Sequence, residues 1–505
     1  MFEAAATHDG GLFVGLDIGT QGVKLVAYDP RAREVVATTA AALELTSGED
    51  GTREQQAQWW IEAMQSCFAA LDAAQRARVR AIAVSGQQHG FVPVDAEGRV
   101  TAPVKLWCDT STHAECDAIM DSVGGMPGSV GLAGNPILAG YTASKLPWTR
   151  AHRPDAYVAM ATILLPHDYV NFWLTGERFM EAGDASGTGW LDVRSRTWSE
   201  PMLRAIDADR DLRDALPPLV EAGTTFPILP AIAQILQLPA DVRVTTGGGD
   251  NMMAAIGTGN VVPGRLTMSL GTSGTLFAHA DHPVVDEQAR WAAFCSSSGG
   301  WLPLICTMNC TVATETTARL FQLDRAQAEA AIATTPPGAD GLVMLPFFNG
   351  ERTPDLPTAR ACLFGLDLAN NTAAHHYRAA MEGATYSLRN GYDAFVDAGL
   401  RFDTVLLTGG GSKSAQWRQL VADVFDLPVV VPSQPEGAAF GAALQALWAH
   451  QRCEGADASL ADVVLAHLQV DEALSATPDP QRVAAYAGGY QRFQTYLQAI
   501  APLYA

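Results

Sequence analysis

The turn Gly19-Thr20-Gln21-Gly22 has a counterpart, Gly271-Thr272-Ser273-Gly274, in the other half of a 505-residue chain. Each stands between two apolar, β-type runs, LFVGLDI and VKLVAYD around the first, GRLTMSL and TLFAHA around the second. Strand, glycine-bracketed turn and return strand make a hairpin, because glycine supplies the positive φ that tight turns need. The same unit met twice, each time followed by alternating helices and strands, predicts two similarly built halves. Each is then a mixed sheet flanked by helices. A chain this long exceeds one compact core, so two units also satisfy the size constraint.

In the first half, residues 12–20, 22–30 and 33–43 read as an antiparallel meander. A helix over 57–77 and a buried strand over 79–86 follow. Residues 104–200 read as loop-rich, and 242–250 as a strand entering the second unit. The second half then shows a helix at 375–399, a strand at 404–411, a helix at 414–425, a strand at 428–433 and a helix at 437–450. A terminal helix at 481–501 closes the chain. The expected domains are 11–245 and 246–505, with the boundary just ahead of Asp250.

Composition narrows the partners. With 33 basic and 54 acidic residues the formal charge is −21, which argues against nucleic acid or an anionic membrane as a partner. It leaves small anions open, since backbone amides and a metal ion hold phosphate without a basic surface. Only four lysines occur and none lies in a Gly-Lys-Ser/Thr sequence, so a Walker-type loop is absent. Eight scattered cysteines, none in a CxxC pair, fit reduced thiols in a cytoplasmic protein. The N-terminal MFEAAATHDGG lacks the regions of a signal peptide, and no apolar run reaches the ~18 residues of a membrane span. A homodimer is carried as a candidate assembly.

A glycine-rich hairpin turn leaves amides pointing one way, and threonine adds a hydroxyl donor. Either turn serves equally as an ordinary hairpin or as a cradle for phosphate oxygens. Two equivalent turns facing each other favour a polyphosphate held between the halves. Asp17 sits at the end of the first strand, where it either stabilises the turn or serves a hard cation. Asp250 follows three glycines, 247–249, and leads an apolar run. It reads either as a helix N-cap or as an acid facing a ligand that the glycines let approach.

VGLDIGTQGVKLVAYD, GGGDNMMAAIGTG, SLGTSGTLF and LLTGGGSKSAQWRQLVADVFDLPVVV, in that order, resemble the FGGY carbohydrate kinase family over roughly residues 12–450. The resemblance implies an α/β, two-domain actin/hexokinase-like (ribonuclease H-like) ATPase fold with an interdomain cleft. Four further stretches are similar to family members that act on D-xylulose: AVSGQQHGFVPVD (83–95), LWCDTS (106–111), AGDASGTGWLDV (182–193) and FFNGERTPDLP (347–357). The implied activity is ATP-dependent phosphorylation of a ketopentose, D-xylulose foremost, to the 5-phosphate, with Mg²⁺ as the accompanying ion.

On this resemblance Asp250 is the catalytic base and Asp17 serves the metal. Gln88, His89, Asn251, Trp107 and Asp109 join Asp250 at the sugar. Thr20, Gln21, Gly22, Lys24, Gly271, Thr272, Gly410, Gly411 and Ser412 hold the nucleotide. Gln88 stands where relatives commonly have Met, and Ser111 where many carry Arg. Two alternatives stay open: another family activity on ribulose, gluconate or xylitol, and an actin-like ATPase that transfers nothing to sugar.

Overall fold

A computed structural model describes residues 10–504; residues 1–9, with most of the segment read for a leader, lie outside the described residues. The first sheet is built on β1 (Leu12–Ile18), β2 (Gly22–Asp29), β3 (Glu34–Ala42), β4 (Val79–Gly86) and β5 (Arg243–Thr245). Its order is β5-β4-β1-β2-β3, extended beyond β5 by Thr225–Pro227. β1 pairs with β4 in parallel and with β2 antiparallel; β2 and β3 are antiparallel, β4 and β5 parallel.

The second sheet uses β6 (Gly264–Leu270), β7 (Gly274–Ala278), β8 (Trp301–Thr307), β9 (Phe402–Thr408) and β10 (Val429–Val430). Its order is β10-β9-β6-β7-β8, with Ala292–Cys295 at the outer edge. The pairing senses are the same: β6 is parallel to β9, β9 to β10, while β6-β7 and β7-β8 are antiparallel. The five central strands of the two sheets repeat one topology, as the twin turns predicted, while the outer strands differ.

Alternation along β1 assigns its two faces. Leu12, Val14, Leu16 and Ile18 point into the core under helix α1 (Ala57–Ala69), while Phe13 points into the core on the opposite face. That opposite face is covered by two helices from the later chain, α2 (Asp250–Thr258) and α3 (Gly437–Cys453). A Cβ built on Gly15 would lie 1.8 Å from the Ala439 carbonyl oxygen, so α3 crosses β1 at backbone contact. Helices α2 and α3 meet in the same manner: a Cβ on Gly257 would lie 1.9 Å from Gly437 O, and one on Gly441 1.9 Å from Met253 O.

Several expectations are corrected. The helix over 57–77 stops at Ala69, and Asp72 caps a separate turn, Ala73–Ala77, by accepting from Gln75 N at 2.7 Å. The span 242–250 is a strand only to Thr245, with a two-residue pairing at Gly248–Gly249, and Asp250 already belongs to α2. The strand expected over 428–433 shrinks to Val429–Val430. The region 104–200 is not loop-rich. It holds helices His113–Ser122, Gly125–Ala133, Thr142–His152, Pro154–Ala159, Pro166–Thr175 and Ala182–Ala185. Poor helix formers hid them: Gly125–Ala133 contains three glycines and Pro127, and Thr142–His152 encloses Pro147. Tertiary burial of Ile119, Ala133, Ala143 and Leu146 in one cluster supplies what propensity withholds.

Candidate active site

Strand register brings the two key acids together. Asp17 on β1 pairs with Ser85 on β4, and Ser85 pairs in turn with Gly248. One residue beyond that short pairing the chain enters α2 at Asp250. Gly249 takes the N-cap position, so capping is not the role of the Asp250 side chain. Its Oδ1 accepts from Asn251 N at 2.8 Å and Asn251 Nδ2 at 3.2 Å. Burial first, then the charges of Asp17 and Asp184, push its pKa up to about 7. Burial likewise raises Asp17, against a hydrogen bond from Ser85 Oγ at 3.0 Å.

The glycines before Asp250 are there for protein contacts. Gly247 adopts φ +68°, and a Cβ there would lie 2.0 Å from Val84 O. At Gly248 it would meet Ser297 Oγ at 2.2 Å, and at Gly249 it would meet Gln88 Cγ at 2.8 Å and Asp184 Oδ1 at 2.9 Å. The expectation that they open room for a ligand is therefore corrected, since the chain's own atoms fill that space. Behind Gly249, buried His167 bonds Asp184 at 2.7 Å and faces Asp168 at 3.0 Å. Burial opposes charge on His167, but these carboxylates outweigh it and hold its pKa near 9.

In front of Asp250 lies a cavity of about 420 Å³ whose walls come from both halves. Gln88, His89, Trp107 and Tyr141 of the first half line it, with Asp250 and Asn251. Ser273, Thr275, Phe294, Cys306, Met308 and Arg352 of the second half complete the lining. Gln88 Oε1 accepts from Asn251 Nδ2 at 2.8 Å, while its Nε2 is buried without a hydrogen-bond partner. His89 stacks on Tyr141 with centroids 4.6 Å apart and planes 15° from parallel. Its Nδ1 lies 2.6 Å from Gly187 O, so that nitrogen carries the proton and donates. Burial, with the positive charges of Lys145 and Arg352, lowers the ring's pKa to about 3. The neutral imidazole thus keeps Nε2 as an acceptor. The cavity offers an unpartnered amide donor, an imidazole acceptor and a carboxylate, a set suited to a polyhydroxylated small molecule.

The two turns flank this region. The amides of Thr20, Gln21, Thr272 and Ser273 donate to no acceptor among the described residues, while Gly19 N donates to Gly22 O at 3.0 Å to close the first turn. The Thr20 hydroxyl donates to Gln87 Oε1 and accepts from Trp107 Nε1, both at 2.9 Å. Gly409–Gly411 lies against Leu270, at the base of the second turn, and a Cβ on Gly410 would meet nothing within 4 Å. Ser412 Oγ donates to Gly409 O at 2.7 Å, and Ser414 caps the following helix.

Two expected contributors are committed elsewhere. Lys24 pairs with Glu436 at 2.6 Å, bridging the halves. Asp109 is fully buried and does not line the cavity. Lys105 reaches it at 3.0 Å, Arg53 N at 2.8 Å, and Ser111 with both its amide and its hydroxyl. Tyr141 and Arg352 had been assigned no role. Arg352 lay within the quoted FFNGERTPDLP stretch, the one pointer to it, whereas Tyr141 had none.

The model of the FGGY family of carbohydrate kinases matches the chain twice, its N-terminal domain over residues 12–257 and its C-terminal domain over 266–450. The chain belongs to this family. Its members share the two-domain actin/hexokinase-like fold, and the paired sheets are the two domains of that fold. The chain is 41% identical to the xylulose kinase of Haemophilus influenzae, covering 97% of this chain and 100% of that one. It is 37% identical to the xylulose kinase of Streptomyces coelicolor, over 87% and 88%. The solved xylulose kinase of Rhodospirillum rubrum superposes with a TM-score of 0.89 at 26% identity, covering 98% and 99%. Family membership makes the chain a sugar kinase, a phosphotransferase that uses ATP. No helix among the described residues is long and apolar enough to cross a membrane.

Proposed function

We propose that the chain phosphorylates D-xylulose at its terminal hydroxyl, giving D-xylulose 5-phosphate and ADP in the cytoplasm. The observation that carries this reading is Asp250, a half-buried carboxylate with a pKa near 7, set in the wall of a cavity furnished for hydroxyl groups. A sugar hydroxyl is a poor nucleophile at neutral pH. Asp250, its Oδ1 fixed by Asn251, takes the hydroxyl proton as the oxygen attacks the terminal phosphorus in line. Gln88 and His89 orient the acceptor by donating to one of its oxygens and accepting from one of its hydroxyls. The amides of the two Gly-Thr turns hold phosphate oxygens, and Gly410, Gly411 and Ser412 border the rest of the nucleotide. The domain division at 245/246 belongs to the same reading, with Asp250 just past the junction.

Asp17 fits a hard divalent cation: it is an oxygen donor whose pKa burial raises, a cost that a nearby cation relieves. Mg²⁺ binds through one or two carboxylates plus substrate phosphates, so Asp17 together with the phosphates would hold it. When bound, it neutralises charge building on the phosphate oxygens.

Two results test the proposal. ADP release measured over D-xylulose, D-ribulose, gluconate, xylitol and glycerol should peak with D-xylulose. ATP turnover indifferent to every acceptor would instead identify an ATPase without sugar transfer. Because the base must be ionised, kcat/KM for D-xylulose is expected to rise with pH to a plateau, with its midpoint near 7. A profile flat from pH 5 to 8 would remove Asp250 from that role.

A further inference from the structure

Arg352 enters the cavity on a turn held rigid from both sides. Before it, buried Glu351 accepts from Met308 N at 2.5 Å, Arg352 N at 2.8 Å and Asn309 Nδ2 at 3.2 Å. After it, the buried Thr353 hydroxyl reaches the Arg290 and Cys306 carbonyls, each at 3.3 Å. Between these anchors Arg352 is the exposed residue, and it lines the same cavity as the His89–Tyr141 stack.

Its chemistry there is uncompensated. The other guanidinium in the lining, Arg290, is satisfied by Asp286 at 2.9 and 3.0 Å. Arg352 has no ion pair with a carboxylate among the described residues, and Cys306 lines the same cavity. Its positive charge acts on His89 and Tyr141, the stacked pair in the same cavity.

Resting on the ketose-kinase reading above, we infer that Arg352 is a specificity-determining residue that binds the carbonyl of the acceptor and its neighbouring hydroxyl oxygen. A guanidinium donates through a planar fork and accepts nothing. A ketone oxygen only accepts, so the two are complementary. The corresponding polyol sets a hydroxyl on a tetrahedral carbon there; it must turn its proton away to accept from the guanidinium and cannot present two lone pairs in the plane of the fork, so the ketose is preferred.

The test compares the full-length wild type with Arg352→Met and Arg352→Lys, using D-xylulose and xylitol as acceptors. Arg352→Met is expected to raise KM for D-xylulose about 10- to 100-fold, to leave KM for ATP within about twofold, and to shrink the D-xylulose over xylitol preference about tenfold. Arg352→Lys should recover part of the affinity without the preference, since an ammonium keeps charge but lacks the fork. A merely structural role would raise both KM values and leave the preference unchanged, and that result overturns the inference. So does a Met variant with wild-type KM for D-xylulose. A wild type that transfers phosphate to no ketose overturns the functional reading, and this inference with it.

Discussion

Asp250→Asn is expected to lower kcat for sugar phosphorylation by about 10²- to 10⁴-fold while ATP binding stays measurable. The amide preserves shape and the contacts from Asn251 but cannot take a proton. Turnover near that of the wild type would refute the role of Asp250. The same substitution should make the ligand-free protein more stable at pH 8. A carboxyl whose pKa rises from 3.8 unfolded to about 7 folded binds more protons in the folded state between those values. Its contribution to stability therefore falls as pH climbs through that window and stays lost above it. The asparagine escapes that loss, at most about 4 kcal/mol for a shift of this size. Denaturant melts at pH 5 and pH 8 read it directly, with the gain confined to the higher pH. A residue that costs stability where it gives activity is the usual mark of a working site.

Gly257→Val should lower the stability of the fold by more than about 3 kcal/mol. At the crossing of α2 and α3 a Cβ on Gly257 meets Gly437 O at 1.9 Å and Gly441 N at 2.8 Å, both backbone atoms that no rotamer change can move. The helices must separate. Because α2 begins at Asp250, separation also displaces the carboxylate proposed as the base, and a displacement near 1 Å there costs about 10²-fold in rate. Gly131→Ala is the matched control: its Cβ meets nothing within 4 Å, so helix propensity alone decides and stability should hold or rise slightly. Denaturant midpoints of the two variants settle the comparison. Equal midpoints would mean that the crossing is not as tight as its geometry states.

The sequence declared what depends on local chemistry. Both Gly-Thr turns, the strand alternation around them and the amphipathic helix Ala373–Asp397 follow from neighbours a few residues apart. Motif order carried Asp17, Gln88, His89 and Asp250 to one place. What stayed hidden depends on distant partners. The helices between 104 and 200 form on glycine- and proline-bearing segments because they pack on one another. Tyr141 becomes a wall of the site by stacking on a histidine more than fifty positions earlier. Asp109 looked available, yet Lys105 and Ser111, each within four positions, claim its oxygens once the loop folds over them. Local pattern names the residue types present, whereas burial decides which of them remain free to act.

The backbone contact between Gly15 and α3 has a consequence for how the chain is made. The first sheet is complete once β5 has been synthesised, but one of its faces is covered by α2 and α3, and α3 ends only at Cys453. During translation Phe13, Tyr28, Ala81 and Ala83 stay bare on that face until nine-tenths of the chain has emerged. Domains commonly fold in the order in which they leave the ribosome. Here the half made first must wait for the half made last.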